Sequence, residues 1–300
     1  MIASLKFKDY QKNPIILPKK DSEAKGAYNP AVIIEDEIFY LFYRSVGLNG
    51  LTGRIYLAKS SNGVNFTKSL KPVIYPYYNY EKYGCEDPRI VKINDTFYLT
   101  YVGNSGKYCV GNICLATSRD LLHWEKRGTI LKPREKWDKG QVKAGVIVPE
   151  KINGKYVMYF SGEEKPWKPS IGIAFSVDLI NWEEEKKPVL LPREGYFDSK
   201  AIEPGTNPVV IEKGIFMIYN GWAEDNIYKP TGVLFSKDNP SKVIERGDKP
   251  ILKPLRNWGN VFNCKNHIVA EGLVKYNNYW WLYYGAADKV VCLARCKVTK

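Results

Sequence analysis

Apolar and polar residues alternate along this 300-residue chain in short runs, and the runs come in sets. One set reads NPAVIIEDEIFYLFYRS (29–45), DPRIVKINDTFYLTYVG (87–103), VPEKINGKYVMYFSG (148–162), NPVVIEKGIFMIYNG (207–221) and EGLVKYNNYWWLYYG (271–285). Each holds two runs rich in β-branched and aromatic residues around a polar turn such as Glu35-Asp36, Asn94-Asp95, Asn153-Gly154 or Asn277-Asn278. That pattern predicts five β-hairpins. A third run follows each pair: RIYLAKS (54–60), NICLATS (112–118), SIGIAFS (170–176), TGVLFS (231–236) and VVCLARC (290–296). A further phrase recurs as NPIILP, KPVIYP, GTILKP, KPVLLP and KPILKP, starting at 13, 71, 128, 187 and 249.

Five units of three strands, each with a fourth supplied by the KPxLxP phrase, predict an all-β chain. Its expected architecture is one five-bladed β-propeller domain over residues 1–300, with blades beginning near 29, 87, 148, 207 and 271. The first copy of the phrase precedes the first blade, and none follows Cys296. The N-terminal strand is therefore expected to close the last blade. A solenoid would stack shorter units and need capping repeats, which are not evident.

Composition supports a large β core: 44% of residues are hydrophobic, with 22 Tyr and 8 Trp. No apolar run approaches the roughly 18 residues of a membrane span, so no membrane partner is expected. MIASLKFKDYQKNPIILP lacks a signal-peptide core, which predicts a cytoplasmic protein. The six cysteines are then expected to be reduced. Cys109-x4-Cys114 and Cys292-x3-Cys296 are loosely spaced for metal ligation and only two histidines accompany them, so buried thiols are expected and no metal. A net charge of +13 raises nucleic-acid binding. The lysines are scattered around turns, however, and no recognition motif is present, so no nucleic-acid partner is expected. Attraction to an anionic substrate such as phosphate stays open, as does homo-oligomerisation. Ser-His-Asp chemistry has only His123 and His267 to draw on, and no Gly-rich nucleotide loop precedes a helix.

The repeat allows equivalent positions to be compared within one chain. Ahead of each inner strand stand Asn29, Asp87, Val148, Asn207 and Ala270, preceded by Tyr28, Glu86, Ile147, Thr206 and Val269. The architecture accepts Val and Ala there, so it does not itself require the acids of YGCEDPRIVKI (83–93). Asp87 could pair with Arg89 or cap a turn; alternatively it serves a ligand at the mouth of a central channel. The same mouth is expected to gather Glu86, Glu163, Glu203 and Asp288 with Arg44, Arg54, Arg89, Lys143 and Tyr101. Carboxylates and aromatics in a concave site suggest a sugar. Glycoside cleavage needs an acid for the leaving oxygen, and an inverting hydrolase needs a second carboxylate as base. A phosphorylase needs cationic donors for phosphate instead.

The stretches CEDPRIVKI, VPEKINGKYVMYF, FDSKAIEPGTNPVVIEKGIFMIYNG and LYYGAAD, with the repeat, resemble glycoside hydrolase family 130 over essentially the whole chain. The resemblance implies a five-bladed propeller acting on β-mannosides by inversion, without a cofactor, inorganic phosphate being co-substrate in the phosphorylases. It implies Asp87 as the catalytic acid, relaying its proton through the mannose 3-hydroxyl in phosphorylases. It also implies Asp288 as a sugar ligand, and Asn29, Arg44 and Arg54 in the mannose subsite. The chain departs from the phosphorylase pattern at Val142-Lys143-Ala144, where NKD is usual, and at Phe160-Ser161-Gly162-Glu163, where a His-Arg pair is usual. Asn220 replaces the His of YHG, and Glu203 replaces a small residue. Acids gained where phosphate ligands are lost favour an inverting β-mannoside hydrolase, with Asp87 as acid and Glu203, with Glu163 as partner or rival, serving the water. Asn29, Arg44, Arg54, Glu86, Tyr101, Lys143, Asn207 and Asp288 are expected to hold substrate. The alternatives are a mannoside phosphorylase, with Lys143, Arg89 and Lys107 gathering phosphate, and a carbohydrate-binding propeller without catalysis.

Overall fold

A computed structural model describes residues 2, 5–19, 22–48, 52–106 and 110–298. Lys107 and Cys109 lie outside the described residues. The chain is all-β, with one short α-helix, α1 (Trp258–Phe262), and a 3₁₀ turn at Asn79–Glu81 among the described residues. A two-residue strand β1 (Lys8–Asp9) is followed by five antiparallel units. The first is β2 (Gly26–Glu35), β3 (Ile38–Val46), β4 (Gly53–Ser60) and β5 (Thr67–Lys68). The second is β6 (Gly84–Ile93), β7 (Thr96–Asn104), β8 (Gly111–Ser118) and β9 (Glu125–Leu131). The third is β10 (Gln141–Ile147), β11 (Tyr156–Glu163), β12 (Ser170–Ser176) and β13 (Glu183–Glu184). The fourth is β14 (Ala201–Pro204), β15 (Val209–Ile211), β16 (Gly214–Trp222), β17 (Lys229–Phe235) and β18 (Val243–Arg246). The fifth is β19 (Ile268–Tyr276), β20 (Tyr279–Ala286) and β21 (Val290–Lys297). Units one and two share a sheet through one parallel pair, Gly53 with Gly84.

The hairpins turn within one residue of where the sequence places them, the first at Asp36-Glu37 rather than Glu35-Asp36. Asp36-Glu37, Asn153-Gly154 and Asn277-Asn278 all have positive φ at both central residues. That is the geometry whose twist matches paired strands, and Asn, Asp and Gly tolerate it best. Five apolar clusters join the units. Phe42, Ile55, Leu99 and Ala116 pack between units one and two, and Val91, Leu115, Met158 and Phe160 between two and three. Tyr159, Ile173, Met217 and Val233 join three to four, and Ile218, Leu234, Leu282 and Tyr284 join four to five. Leu41, Tyr43, Tyr283 and Leu293 join five back to one. Every unit therefore buries both sheet faces, which explains the near-continuous apolar runs of strands such as β16.

The last unit takes its outer strand from the N-terminal segment. Lys8 and Asp9 pair with Arg295 and Ala294, and Ile16 bridges to Val291. Asn13 lies between them. Its Nδ2 donates to the Leu293 carbonyl at 2.9 Å and its Oδ1 accepts from the Leu293 amide at 2.8 Å, so a buried side chain continues the ladder. Asn13→Ala is expected to cost about 1–3 kcal/mol, the penalty of stranding buried donors and acceptors. Urea denaturation checks this; an unchanged midpoint would mean the ladder closes without Asn13.

Candidate active site

Four of the inner strands carry a β-bulge near their start, and the registers define it. β2 slips between Tyr28 and Pro30, β6 between Glu86 and Arg89, and β10 between Lys143 and Val146. Asn29, Asp87 and Ala144 sit in these slips, all with φ near +50°. Asn and Asp bear that left-handed conformation better than most residues, and bulges re-aim side chains beside functional sites. In β19 the slip lies between Ala270 and Gly272, which singles out Glu271. The Asn-Pro and Asp-Pro phrases point to this position in the first two units only. Val148 lies past the end of β10, and Asn207 lies between β14 and β15, donating to the Ile147 carbonyl at 3.3 Å. Ala144 and Glu271, rather than Val148 and Ala270, are the counterparts of Asp87, and Asn207 packs as an inter-strand tie.

Asp87 sits in a net of donors. Its Oδ1 accepts from Asn29 Nδ2 at 2.7 Å and from Arg44 Nη1 at 3.1 Å. Arg44 reaches Glu86 Oε1 with Nη2 at 3.0 Å, and its guanidinium lies 5.3 Å from the Tyr28 ring centroid. Gly53 makes room for this pair: a Cβ there would fall 2.9 Å from Glu86 Cγ. Arg54 follows it, half-buried and opposite Ser45. Burial pushes the Glu86 carboxyl up, Arg44 opposing and Asp87 reinforcing the shift. Asn29 Oδ1 and Arg44 Nε are buried without a hydrogen-bond partner. A ligand hydroxyl reaching them would supply one.

Lys143 and Glu203 form a second ion pair, Nζ to Oε2 at 3.4 Å. Burial alone would depress the Lys143 ammonium; Glu203 chiefly, with Tyr228, Glu163 and Asp87, more than reverses this and raises it. Glu203 is pushed up by burial, Lys143 opposing and the charge of Asp87 adding to the rise. These two acids are thus in electrostatic contact across the inner strands. Glu163 is near Lys143, but Gln141 holds its Oε1 through Nε2. The Asp288 carboxyl is raised by desolvation, with His267 and Arg44 opposing and Asp87 reinforcing, although the residue as a whole is exposed. Gly26 lets its backbone approach β2, since a Cβ there would fall 2.5 Å from the Asp288 carbonyl oxygen.

Besides Asn207, two expected site residues belong elsewhere. Tyr101 is buried in the core and donates its hydroxyl to Glu81 at 2.8 Å. Arg89 pairs with neither Asp87 nor free space. Only 1% exposed, it meets Glu271 Oε1 at 2.6 Å and donates to the carbonyls of Gly205 and Pro88 at 2.8 and 2.9 Å. It is spoken for and offers nothing to phosphate. Three neighbours of the site escape sequence reasoning. Tyr228 feels Glu203, Lys143, Asp288 and Asp87. Its ring centroid lies 4.2 Å from that of Trp222, the planes tilted by 33°, and its amide donates to His267 Nδ1 at 3.3 Å. Burial lowers the His267 imidazole, Asp288 opposing. Tyr228 and His267 lie on the segments leading into β17 and β19, outside the hairpin repeat. Glu271 is visible only through its bulge. Among the free cysteines, four are buried and Cys264 is exposed.

The chain matches the profile of a family described as β-1,4-mannooligosaccharide phosphorylase, glycoside hydrolase family 130, over residues 6–300. It is 35% identical over 299 residues to a 1,2-β-oligomannan phosphorylase of Thermoanaerobacter sp. (strain X514), with 97% of each chain covered. A β-1,2-mannobiose phosphorylase of Listeria innocua, solved with β-1,2-mannobiose, has the same fold: TM-score 0.86, 24% identity, 97% of each chain. A structure from work on family hydrolases that target β-1,2-mannosidic linkages in Candida mannan superimposes with TM-score 0.84 at 29% identity, covering 96% of this chain and 93% of that one. The chain belongs to glycoside hydrolase family 130, a family of enzymes acting on β-mannosides.

Glu271→Ala should leave Arg89 buried and unpaired, destabilising the fold by about 3–5 kcal/mol. Arg89→Met with Glu271→Leu should recover most of that loss in chemical denaturation. Equal destabilisation by single and double variants would refute a mutual pair.

Proposed function

We propose that this enzyme cleaves β-1,2-linked manno-oligosaccharides by phosphorolysis with inversion, releasing α-mannose 1-phosphate. The five units act as the blades of a propeller, a reading supported by the cyclic series of five inter-unit clusters. The relatives favour phosphorolysis over the hydrolysis expected from the sequence: phosphorylases of β-1,2-mannosides from Thermoanaerobacter and Listeria match at 30–35% identity. The observation that carries the reading is the half-buried Lys143, a cation in the field of Asp87 and paired with an acid whose carboxyl burial pushes up. When Glu203 takes a proton, Lys143 is released to meet a phosphate oxygen. Asp87 supplies the proton for the departing glycosidic oxygen, through the sugar hydroxyl that the family resemblance implies. Phosphate attacks the anomeric carbon from the opposite face; the C1–O bond breaks as the new C1–O–P linkage forms. Asn29, Arg44 and Asp288 hold the mannosyl ring. No cofactor enters this scheme.

Hydrolysis is the second reading, and one observation favours it. Arg44, Lys143 and Arg89 are all paired with carboxylates, so no cation among them is free before a ligand binds. An ionised Glu203 would serve water as base and repel a phosphate dianion.

Incubation with β-1,2-mannobiose separates the two. Mannose 1-phosphate is expected only when inorganic phosphate is supplied; free mannose in phosphate-free buffer establishes the hydrolytic reading instead. The pH dependence has opposite signs. Phosphorolysis that needs protonated Glu203 weakens as pH rises through that group's elevated pKa, whereas hydrolysis with Glu203 as base weakens as pH falls through it. Asp87→Asn should lower kcat/KM by about 10²–10⁴ on either route, the usual worth of a general acid. A near-normal rate would remove Asp87 from that role.

A further inference from the structure

Three of the five units share a second, buried polar device, separate from the residues proposed to act on sugar. In unit one, Glu23 accepts from the Tyr43 hydroxyl at 2.6 Å and pairs with Lys68 of the outer strand at 2.6 Å. In unit two, Glu81 accepts from Tyr101 at 2.8 Å and pairs with Lys126. In unit four, Asp198 accepts from Tyr219 at 2.6 Å and pairs with Arg246 at 2.7 Å. Each time, an acid from the connector before the inner strand meets a tyrosine of the second strand and a cation of the outer one. The triad staples the connector to its own sheet.

Unit three keeps the connector and loses the staple. Asp138 accepts from the amides of Arg134 and Glu135 at 3.2 and 2.9 Å, as Glu81 accepts from those of Tyr77 and Tyr78 at 2.9 and 3.2 Å. The tyrosine position is Phe160, which precedes the partner of Lys143 just as Tyr101 precedes the partner of Glu86. The cation position is Glu184. The register fixes this: Ala58, Ala116 and Ala174 face Lys68, Lys126 and Glu184. Two carboxylates therefore meet where units one, two and four join an acid to a base. Asp138 is fully buried, and its Oδ2 and both Glu184 carboxyl oxygens have no donor from the rest of the protein.

We propose that a proton shared between Asp138 and Glu184 takes the place of the missing cation, so that the connector leading into Lys143 is latched at acidic to neutral pH and released at alkaline pH. One carboxyl donates to the other carboxylate, which supplies the absent partner. Burial and the charge of Asp138 raise Glu184 to about 8, and burial raises Asp138 as well. The charged groups facing the pair are Arg134, which opposes the rise of Glu184, and Glu135, which reinforces it. Glu183 and Glu185 flank Glu184 in sequence, and β11 places Phe160 at the position of the tyrosines. A carboxyl whose folded pKa lies above its unfolded value stabilises fully below the unfolded value, and that contribution is lost as pH rises through the folded one. The loss therefore falls between the ordinary Glu range and about pH 8. The released segment includes Trp137, whose ring fills the space over Gly162 and Gly172, and Gly140, whose amide donates to the Glu163 carbonyl at 2.9 Å. Loosening it would reach the strand that carries Lys143.

Thermal unfolding across that window, with E184K and E184Q beside the unaltered protein, tests the latch without any assay of sugar cleavage. E184K restores the cation of units one and two; E184Q gives Asp138 a permanent donor. The unaltered protein should lose thermal stability with rising pH more steeply than either variant. Amide exchange over residues 134–143, corrected for intrinsic rates, should accelerate with pH in the unaltered protein only. Parallel pH slopes in all three proteins, or exchange that rises equally in E184Q, would overturn the proposal. If E184K fails to fold, the E184Q comparison decides alone.

Discussion

Arg89 is where the inner strands are tied together. One guanidinium, almost wholly shielded from water, spans three of the five units: its own β6 through the Pro88 carbonyl, the fourth unit through Gly205, and the fifth through Glu271. A charge in such a place is tolerated only when every donor is engaged and a counter-ion is at hand. The pair contributes little net stability over an apolar replacement, but it fixes geometry. Pro88 follows Asp87 and Gly205 lies two residues beyond Glu203, so the same side chain sets the separation of the two carboxylates on which the proposed chemistry turns.

Around that tie the polar groups are arranged in neutralised pairs, and burial gives each pair its tension. Arg44 holds Glu86 and Asp87; Lys143 holds Glu203; His267 faces Asp288. Glu86, Glu203 and Asp288 are all pushed toward their protonated forms by desolvation. A site built this way changes its net charge by taking up or releasing protons at its carboxyls, with little movement of side chains. That suits it to an anionic co-substrate in one protonation state and to water in another.

Much of this was legible beforehand because β-hairpins announce themselves. Period-two patterning, polar turns and a repeat near 58 residues fixed strand existence, order and the borrowed outer strand. Asp87, Asn29 and Arg44 came from the same comparison, since they lie where the repeat is most regular. The comparison failed where a proline stood in for a bulge. Val148 and Asn207 both precede prolines, yet the slip occurs at Ala144 in the third unit and beside Gly205 in the fourth. Bulges are set by ladder register, which no local phrase encodes. Tyr101 was misassigned because a tyrosine at a strand end reads the same whether its hydroxyl meets a sugar or a buried Glu81. Tyr228 and His267 lie outside the hairpins and have no repeat partner to flag them.

The strand borrowed from residues 8–16 has a bearing on how the molecule assembles. Lys8 must find Arg295, and Ile16 must find Val291, across nearly the whole length of the chain. Contacts of such long range form late, because closing the loop sacrifices chain entropy before any pairing rewards it. During synthesis the first four units can collapse on one another while the fifth still presents an open edge. That edge is a template for any passing strand until the earliest-made segment returns to cover it. The final act of folding is therefore also what removes the molecule's exposure to strand exchange with its neighbours.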